Sequence, residues 1–398
     1  MIYSRKLLNI ISEGYIDSEE IIIVTGMRRV GKTTLYTSLF NQIKSNNKVF
    51  IDMENPIDQK LFEESDYTNV ITNLKNKYGI NPIEKMYIFL DEIQAVPEIA
   101  KTIKYLNDHF PIKFLLTGSS SFYLKNIFPE SLAGRKKIFE LYPLDFEEFL
   151  DFKKEKKPFA DSIEEKEIKK NKIVYEQYKN LYQEYLEFGG FPGVVTAENI
   201  DQKKERLEDI FKSYFEKEIK TLAGFREVSS IRDLMLLLMQ RVGSKLEIGK
   251  LASEVGVSRE TVGNYLNFLE STYFVHFISP YTTNVDREIS STKKVYLCDT
   301  GIINHFAKIS KGSVFENAVF LAFKKTGNKI CYYQKRHSET EIDFILPDSA
   351  VSFEIKIRGT FQDMGSLKRA SLGIGISKYY IITQEYNDLP GFIPAIEF

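Results

Sequence analysis

The sequence has few of the residues that build cysteine-based or histidine-based sites. It contains two cysteines, Cys298 and Cys331, four histidines and no tryptophan in 398 residues. Two cysteines cannot make a disulfide framework, a cysteine zinc finger or an iron–sulfur cluster, and they suggest a reducing compartment. The histidines are scattered along the chain and predict no histidine-rich metal site.

Long apolar runs and an excess of one charge are also lacking. No stretch approaches the ~18 apolar residues that span a bilayer. The apolar residues near the N-terminus are too interrupted for a signal peptide, so we expect a cytoplasmic protein without membrane partners. Lys and Arg number 54 against 55 Asp and Glu, a net charge of -1. No overall basic excess therefore predicts nucleic acid, although a local basic face remains open.

Length and composition predict a soluble chain of several domains. Hydrophobic residues make up 43% and charged residues 27%, as in globular proteins. A length of ~150 residues per domain gives two or three domains. Four short apolar runs alternate with helical patterns, which indicates an α/β unit with a parallel sheet. The runs are Ile21–Val24, Lys48–Ile51, Tyr87–Leu90 and Lys113–Leu116.

The segment after the first strand matches the phosphate-binding pattern G-x-x-x-x-G-K-[ST]. It consists of Gly26, Met27, Arg28, Arg29, Val30, Gly31, Lys32 and Thr33, followed by Thr34. The two glycines allow the backbone to turn successive N–H groups toward a phosphate, and the helix N-terminus adds partial positive charge. Lys32 is expected to reach the β- and γ-phosphates of ATP, and the Thr33 hydroxyl is expected to ligate Mg²⁺.

A second acidic element supports this site. The apolar residues Tyr87–Leu90 lead directly into Asp91 and Glu92. Asp91 is expected to hold the Mg²⁺ shell, and Glu92 to orient or deprotonate the attacking water. An acidic pair at a strand end is weak evidence alone, but beside a phosphate loop it favours hydrolysis over binding.

Two further groups have open alternatives. Thr117 and Ser119 follow the next strand and can contact the γ-phosphate or the water, or simply form a Gly/Ser turn. Arg135 is a candidate phosphate-sensing arginine, acting within the chain or across a subunit interface, or an ordinary surface arginine.

Several motifs together resemble prokaryotic AAA-type ATPases that carry a C-terminal domain of unknown function. They are Ile88–Gln94, Thr117–Ser120, Ser131–Arg135 and Leu141–Leu144. The resemblance implies a P-loop core, a helical lid, a winged helix and a nuclease-like C-terminal domain. The sequence departs from AAA proteins in general at the sensor position, where Thr117 or Ser119 stands instead of asparagine. Phe188–Pro192 also fits the family pattern, and we interpret it as a hinge.

These features predict a multidomain α/β chain with four parts. They are a P-loop ATPase core over 1–150, a charged connector and helical lid over 151–228, a winged helix-turn-helix over 229–298, and a restriction-endonuclease-like α/β domain of the PD-(D/E)XK type over 299–398.

Residues 246–262 read as a helix-turn-helix, in which Gly256 supplies the turn and Ser258 caps the second helix. Its outer face exposes Arg259 and Asn264, which are candidates for contact with duplex DNA in a major groove. Protein–protein packing explains the motif equally well. Segments 273–280 and 293–297 would supply a wing. The basic residues available for phosphate contacts are Lys245, Lys250, Arg287, Lys293 and Lys294.

Acidic residues recur in two alternating strands near the C-terminus. Asp343 shares a strand face with Glu341, and Glu354 shares one with Lys356. If the strands pair, these groups converge in the D-x(n)-E-x-K arrangement of the PD-(D/E)XK nucleases, and Glu316 resembles the upstream helical carboxylate of that superfamily.

Phosphodiester hydrolysis explains these residue types. Asp343 and Glu354 would ligate a second Mg²⁺ or Mn²⁺, Lys356 would orient the water, and Glu316 would complete the shell. The ordinary alternative is a set of paired surface charges of small energetic worth. Because all four positions are filled, the sequence favours a competent metal site.

We hypothesise a Mg²⁺-dependent ATPase coupled to a C-terminal DNA-binding and nuclease-like module. The first alternative is a nucleotide-gated switch or regulator whose C-terminal domain binds DNA or protein without cleaving. A DNA-translocating motor ranks last because no helicase motif set is present. The expected partners are ATP, DNA and further copies of the chain.

Overall fold

The computed structural model describes residues 5–96, 98–119, 135–222, 228–282, 292–335 and 340–398. The chain divides into a first unit, Met1–Tyr142 with Ser271–Tyr273, and a second unit, Pro143–Glu270 with Phe274–Phe398. The predicted motif residues Ser120, Ser131–Gly134 and Arg287 lie outside the described residues. The helix that follows Asp145 lies in the second unit, and the predicted end of the ATPase core at residue 150 stays a prediction.

The first unit is built on a five-stranded parallel sheet. Its strands are β1 (Ile21–Thr25), β2 (Lys48–Asp52), β3 (Met86–Asp91), β4 (Ile112–Gly118) and β5 (Lys136–Glu140), in the order β2-β3-β4-β1-β5. The α/β prediction with a parallel sheet is confirmed. β1 is buried at every position, as its β-branched sequence predicts. β4 lies between β1 and β3, and the three strands run parallel. Their carboxyl ends therefore lie side by side at one edge of the sheet.

In the described residues of this unit, five helices accompany the sheet: α1 (Lys6–Gly14), α2 (Lys32–Gln42), α3 (Pro56–Gln59), α4 (Tyr67–Tyr78) and α5 (Ile99–His109). α4 shows both end signals, because the Asp66 side chain accepts from the N–H of Thr68 and Gly79 ends the helix at φ 71°. The core beneath the helices is mostly aliphatic, with Ile23, Leu90 and Leu116 fully buried, and it also contains Phe62 and Phe114.

The second unit begins with helices. They are α6 (Phe146–Phe152), α7 (Ile163–Lys169), α8 (Lys172–Phe188), α9 (Pro192–Val195), α10 (Ile200–Tyr214) with a π-helical continuation (Phe215–Leu222), α11 (Val228–Gln240), α12 (Ile248–Val255) and α13 (Arg259–Ser271). Further along the chain come α14 (Thr300–Phe306), α15 (Lys311–Lys325) and α16 (Phe361–Gly373).

The same unit contains a seven-stranded mixed sheet in the order β12-β11-β10-β9-β8-β6-β7. The strands are β6 (Val275–Pro280), β7 (Lys294–Leu297), β8 (Cys331–Gln334), β9 (Glu341–Leu346), β10 (Val351–Lys356), β11 (Lys378–Thr383) and β12 (Phe392–Pro394). β9 and β10 pair antiparallel, with Phe353 opposite Phe344. The strand pairing required for the C-terminal acidic residues to converge is therefore present.

The segments predicted to form a wing belong to this sheet. β6 and β7 pair antiparallel, and β6 also pairs in parallel with β8 through Ser279 and Cys331. Tyr281 extends the contact, because its N–H donates to the carbonyl of Tyr332 at 2.6 Å. The domain boundary predicted at 298/299 consequently falls inside a continuous sheet.

The segment interpreted as a hinge is a buried junction. The N–H of Gly190 donates to the Asp299 carboxylate at 2.7 Å, and the N–H of Leu144 donates to the carbonyl of Gly190 at 2.7 Å. A Cβ at Gly190 would lie 2.2 Å from the Leu144 carbonyl oxygen. The glycines are required for close approach rather than for motion. Among the described residues, no helix is long and apolar enough to cross a bilayer.

Candidate active site

The phosphate-loop motif lies between β1 and α2 and has the backbone that the sequence predicts. Gly26 and Gly31 have φ of 152° and 98°, and Arg29 between them has φ 65°. Only glycine fits at Gly26, because a Cβ there would lie 2.1 Å from the Leu141 carbonyl oxygen. The Leu141 N–H in turn donates to Thr25 at 2.7 Å, which anchors the loop to its strand.

Lys32 lies across the inside of this loop. Its side chain is buried, and Nζ donates to the carbonyl oxygens of Gly26 at 2.9 Å and Met27 at 3.2 Å. Thr33 and Thr34 follow it on the exposed face of α2. The loop therefore holds one ammonium inside and two hydroxyls outside, at the N-terminus of a helix.

The other loop positions are placed as follows. Met27 and Val30 are buried, Arg29 is exposed, and the Arg28 guanidinium lies 3.5 Å from the Glu54 carboxylate.

Thr33 and Asp91 come together although 58 residues separate them. The Thr33 hydroxyl donates to Asp91 Oδ2 at 2.7 Å. Burial raises the pKa of Asp91, and hydrogen bonds from Thr117 and Thr33 oppose that rise. A hydroxyl and a carboxylate side by side are hard oxygen donors, and Mg²⁺ uses few protein ligands of this kind beside phosphate. The predicted pair fits a magnesium ion.

The Thr117 hydroxyl connects Asp91 to Glu92. It donates to Asp91 Oδ1 and accepts from the Glu92 backbone N–H at 2.9 Å. Thr117 therefore contacts the acidic pair, and its two predicted roles, contact with the γ-phosphate or water and a Gly/Ser turn, stay predictions. Glu92 itself has φ 55° and ψ 51°, a left-handed conformation that is uncommon for a non-glycine residue.

Gln94 is a site residue whose role no sequence motif predicted. Its buried amide nitrogen donates to the Glu92 carboxylate and to the Ser119 hydroxyl, the latter at 3.2 Å. Ser119 is thus a partner of Gln94. Neither of its predicted roles, contact with the γ-phosphate or water and a Gly/Ser turn, includes this hydrogen bond. The short spacing of Glu92 and Gln94 was the available signal, but only the one-turn 3₁₀ helix Ile93–Ala95 brings both side chains to one place.

Arg5 is a second residue that the sequence analysis missed. Its buried guanidinium donates to the carbonyl oxygens of Val30 at 2.8 Å and Tyr142 at 2.7 Å. The phosphate loop is therefore held from outside by a residue 25 positions upstream. No local pattern marks such a contact, because it depends on where α1 packs.

Arg135 lies away from the phosphate loop. Its carbonyl accepts from the N–H of Ile21, the first residue of β1, and its guanidinium pairs with Asp108. β1 spans about 16 Å at ~3.3 Å per residue, so Arg135 is near the amino edge of the sheet and the phosphate loop is at the carboxyl edge. In this structure its side chain pairs with Asp108 away from the phosphate loop, a placement that does not support phosphate sensing within the chain. A role across a subunit interface stays a prediction.

The helix-turn-helix consists of α12 and α13, joined through Gly256 at φ 75°. The Ser258 hydroxyl accepts from the N–H of Thr261 at 3.0 Å, which is the cap that the sequence predicts. Arg259 and Asn264 are both exposed on α13.

The basic residues around this motif differ in exposure. Lys250 and Lys293 are exposed, and Lys245 is half-buried over the ring of Tyr332, at 5.3 Å from its centroid. Lys294 is buried and is not available to a phosphate backbone in this structure.

The C-terminal acidic residues do converge, but around this buried lysine. Lys294 Nζ lies 2.5 Å from Glu341, 3.8 Å from Glu316 and 3.9 Å from Asp343. Glu354 instead accepts from Lys356 at 2.8 Å. The predicted residues therefore form two ion-paired groups.

The donor set does not fit a divalent cation. No group of three or more Asp, Glu, His or Cys side chains is placed to hold a metal within the part of the chain that the structure describes. Burial raises the pKa of Glu316 and of Glu354 to about 7, and the neighbouring Asp343 charge adds to both shifts. The carboxylates that we expected to hold a second Mg²⁺ or Mn²⁺ are paired with lysines in this structure.

Two family models each match a part of the chain. An AAA domain family matches residues 18–150, and a domain of unknown function (DUF8612) matches residues 179–313. An uncharacterized protein of Methanocaldococcus jannaschii is 29% identical over 355 residues, which is 86% of this chain and 75% of the relative. An uncharacterized protein of Haemophilus influenzae is 28% identical over 343 residues, 83% of this chain and 80% of the relative.

Two solved structures are similar at low identity. A Walker-type ATPase of Pyrococcus abyssi is 15% identical with a TM-score of 0.46, covering 77% of this chain and 96% of its own. The ORC1 protein of Aeropyrum pernix, solved in complex with DNA, is 10% identical with a TM-score of 0.32, covering 81% and 92%. The family match and the loop between β1 and α2 agree: residues 18–150 contain an AAA-type P-loop ATPase domain.

Proposed function

We propose that the first unit hydrolyses ATP with Mg²⁺ and that the chain works as a nucleotide-gated switch. The observation that carries the proposal is the hydrogen bond from Thr33 to Asp91, with Glu92 as the next residue. It supports a Mg²⁺-binding pair beside a candidate base, at the edge of the sheet that carries the phosphate loop.

Each residue has a distinct part in this proposal. Thr33 and Asp91 would hold Mg²⁺, which supplies charge neutralisation to the phosphates. Lys32 would exchange its loop carbonyl partners for phosphate oxygens. Glu92 would accept a proton from the attacking water, and Gln94 positions the Glu92 carboxylate.

ATP turnover by the full chain tests this assignment. Lys32→Ala is expected to lose nucleotide binding, and Glu92→Gln to retain binding while turnover falls at least about 100-fold, the usual worth of a general base. Glu98→Gln is a matched control, because its side chain is an exposed carboxylate that makes no helix cap. Wild-type turnover by either Lys32→Ala or Glu92→Gln would refute the proposal.

For the second unit we propose duplex DNA binding through backbone phosphates, without cleavage. Two features support this proposal: the helix-turn-helix formed by α12 and α13, and the exposed basic side chains on it and beside it, which are Lys250, Lys293 and Arg259. Exposed Glu260 on the same helix argues against dense base readout. Phosphate contacts fix orientation without reading sequence.

Binding of a fluorescent duplex across salt concentrations tests the DNA proposal. Affinity should fall linearly in log–log form with salt, and each removed phosphate contact should reduce the slope by about 0.9. Lys250→Ala and Arg259→Ala should each do so, whereas Lys204→Ala, an exposed lysine on α10, should not. Salt-independent binding or no binding would assign the motif to protein contacts. Strand displacement driven by ATP would instead support a motor.

A further inference from the structure

Lys294 is the first residue of β7, and its side chain points into the unit. The backbone of Lys294 is fixed because β7 pairs with β6, and its side-chain ammonium is fixed because acidic groups surround Nζ. The residue is 4% exposed. A lysine is rarely buried to this extent unless it is paired.

Three carboxylates face this ammonium. Glu341 on β9 lies 2.5 Å away, and Glu316 on α15 and Asp343 on β9 lie 3.8 and 3.9 Å away. An ammonium has three N–H donors and no acceptor; Glu341 is within hydrogen-bond distance of it, and Glu316 and Asp343 lie at ion-pair distance. Tyr332 adds its ring, at 5.4 Å from Nζ to the centroid.

The carboxylates also have partners that hold their orientation. Tyr296 donates its hydroxyl to Glu316 Oε1 at 2.6 Å, and the N–H of Ile355 donates to Asp343 Oδ2 at 2.8 Å. A divalent metal of the Mg²⁺ class needs oxygens that converge on one point and leaves positions open for water. Here the oxygens converge on an amine that belongs to the chain.

The position of Glu316 is set by its neighbours in the fold. The Asn317 side chain accepts from Leu297 N–H at 2.8 Å and donates to its carbonyl at 3.2 Å, which fixes α15 against β7. Gly243 leaves room for the Glu316 carboxylate, since a Cβ there would lie 3.1 Å from both of its oxygens. The lysine and its partners are thus held by backbone contacts on both sides.

We infer that the Lys294 ammonium is the built-in cation of this acidic cluster, that it replaces the divalent metal of a nuclease-like site, and that its removal creates a metal site. The chain therefore binds no divalent cation at Glu316 and Asp343. The inference concerns the second unit alone and does not depend on ATP hydrolysis by the first.

Titration of the nucleotide-free full chain with Mn²⁺, followed by the electron paramagnetic resonance of free Mn²⁺, tests it. Wild type should show no Mn²⁺ binding that Asp343→Asn removes. Lys294→Met keeps the length of the side chain without its charge. It should bind one additional Mn²⁺, because the affinity of a site rises with the net negative charge of its ligands. Its affinity at this site should exceed the upper limit found for wild type by at least about tenfold.

Three variants make the result specific. Lys245→Met removes the other lysine over the Tyr332 ring and should behave as wild type. Lys294→Arg keeps the charge and should bind no additional metal. Lys294→Met combined with Asp343→Asn should lose the new site, whereas the combination with Asp91→Asn, in the first unit, should keep it.

Two outcomes overturn the inference. One is Mn²⁺ binding by wild type that Asp343→Asn abolishes, which requires no Lys294 variant to fold. The other is a Lys294→Met protein that has a wild-type circular dichroism spectrum and gains no Mn²⁺. Loss of ATP turnover in the same preparations would bear on the first unit only.

Discussion

Asp299 Oδ2 accepts a hydrogen bond from the backbone N–H of Gly190 at 2.7 Å, across 109 residues of sequence. The other carboxylate oxygen accepts from the N–H groups of Gly301 at 2.8 Å and Ile302 at 3.3 Å, which caps α14. Gly189 must be glycine, because a Cβ there would lie 1.9 Å from Asp299 Oδ1. One buried carboxylate thus joins the end of α8 to the start of α14.

Gly189→Ala is expected to destabilise the chain strongly. Its backbone, at φ 76° and ψ -168°, lies in a region that is used almost only by glycine and costs an L-residue about 1–3 kcal/mol, and the clash with Asp299 adds a further cost. Gly327→Ala is the matched control, since Gly327 has φ 75° and open space at the Cβ position. Denaturant unfolding should show a larger loss of unfolding free energy for Gly189→Ala than for Gly327→Ala. Equal losses would mean that the contact between Gly189 and Asp299 rearranges to accept the methyl group.

Asp299 should make stability depend on pH. Burial raises its pKa from 3.8 to about 7 in the folded chain, and backbone hydrogen bonds oppose the rise. Between pH 4 and 7 the folded chain keeps a proton that the unfolded chain releases, so this group lowers the free energy of unfolding as pH rises through that window.

Asp299→Asn removes this titration. It loses the bond to Gly190 and is expected to be less stable than wild type by about 1–3 kcal/mol. The deficit should be largest near pH 4 and shrink toward pH 7, as measured by denaturant unfolding in a pH series. A deficit that stays constant or grows with pH would contradict the shifted titration.

Gln94→Leu should slow ATP turnover without weakening ATP binding. The amide holds Glu92 and contacts Ser119, and its role is to position the base rather than to contact nucleotide. We expect kcat to fall at least about tenfold with KM within about twofold, because the base loses its orienting hydrogen bond while the nucleotide contacts are kept. A change in KM alone would show that Gln94 supports binding.

Arg135→Ala should leave turnover of the isolated chain within about twofold of wild type, whereas loss of an arginine finger costs about 10³-fold or more. The guanidinium pairs with Asp108 near the amino edge of the sheet. Measuring turnover across protein concentration decides the remaining case. If Arg135→Ala turns over ATP more slowly than wild type only at high protein concentration, Arg135 acts on the site of a neighbouring subunit.

The phosphate loop and the acidic pair could be predicted because both are local. A β-branched run, two glycines, a lysine and a threonine within eight positions specify a strand–loop–helix in almost any sheet. The parallel sheet followed from the alternation of strands and helices. Asp91 followed from its place at the end of a buried strand, since the carboxyl ends of parallel strands meet at one edge.

The partners of these residues could not be predicted, because they come from distant parts of the chain. Arg5 reaches Val30 only through the packing of α1, and Arg135 is separated from the phosphates by the length of β1. The acidic residues of β9 and β10 do converge as their alternation indicates. Sequence spacing cannot reveal that Lys294, from another strand, lies among them.

The sequence by itself determined where this chain can hold a triphosphate, since a phosphate loop uses its own backbone and its own helix end. Only the tertiary structure decided which cation the C-terminal carboxylates face. A charge buried among carboxylates is stable only with a counter-ion, and whether a lysine or a metal fills that role depends on which strand lies beside them.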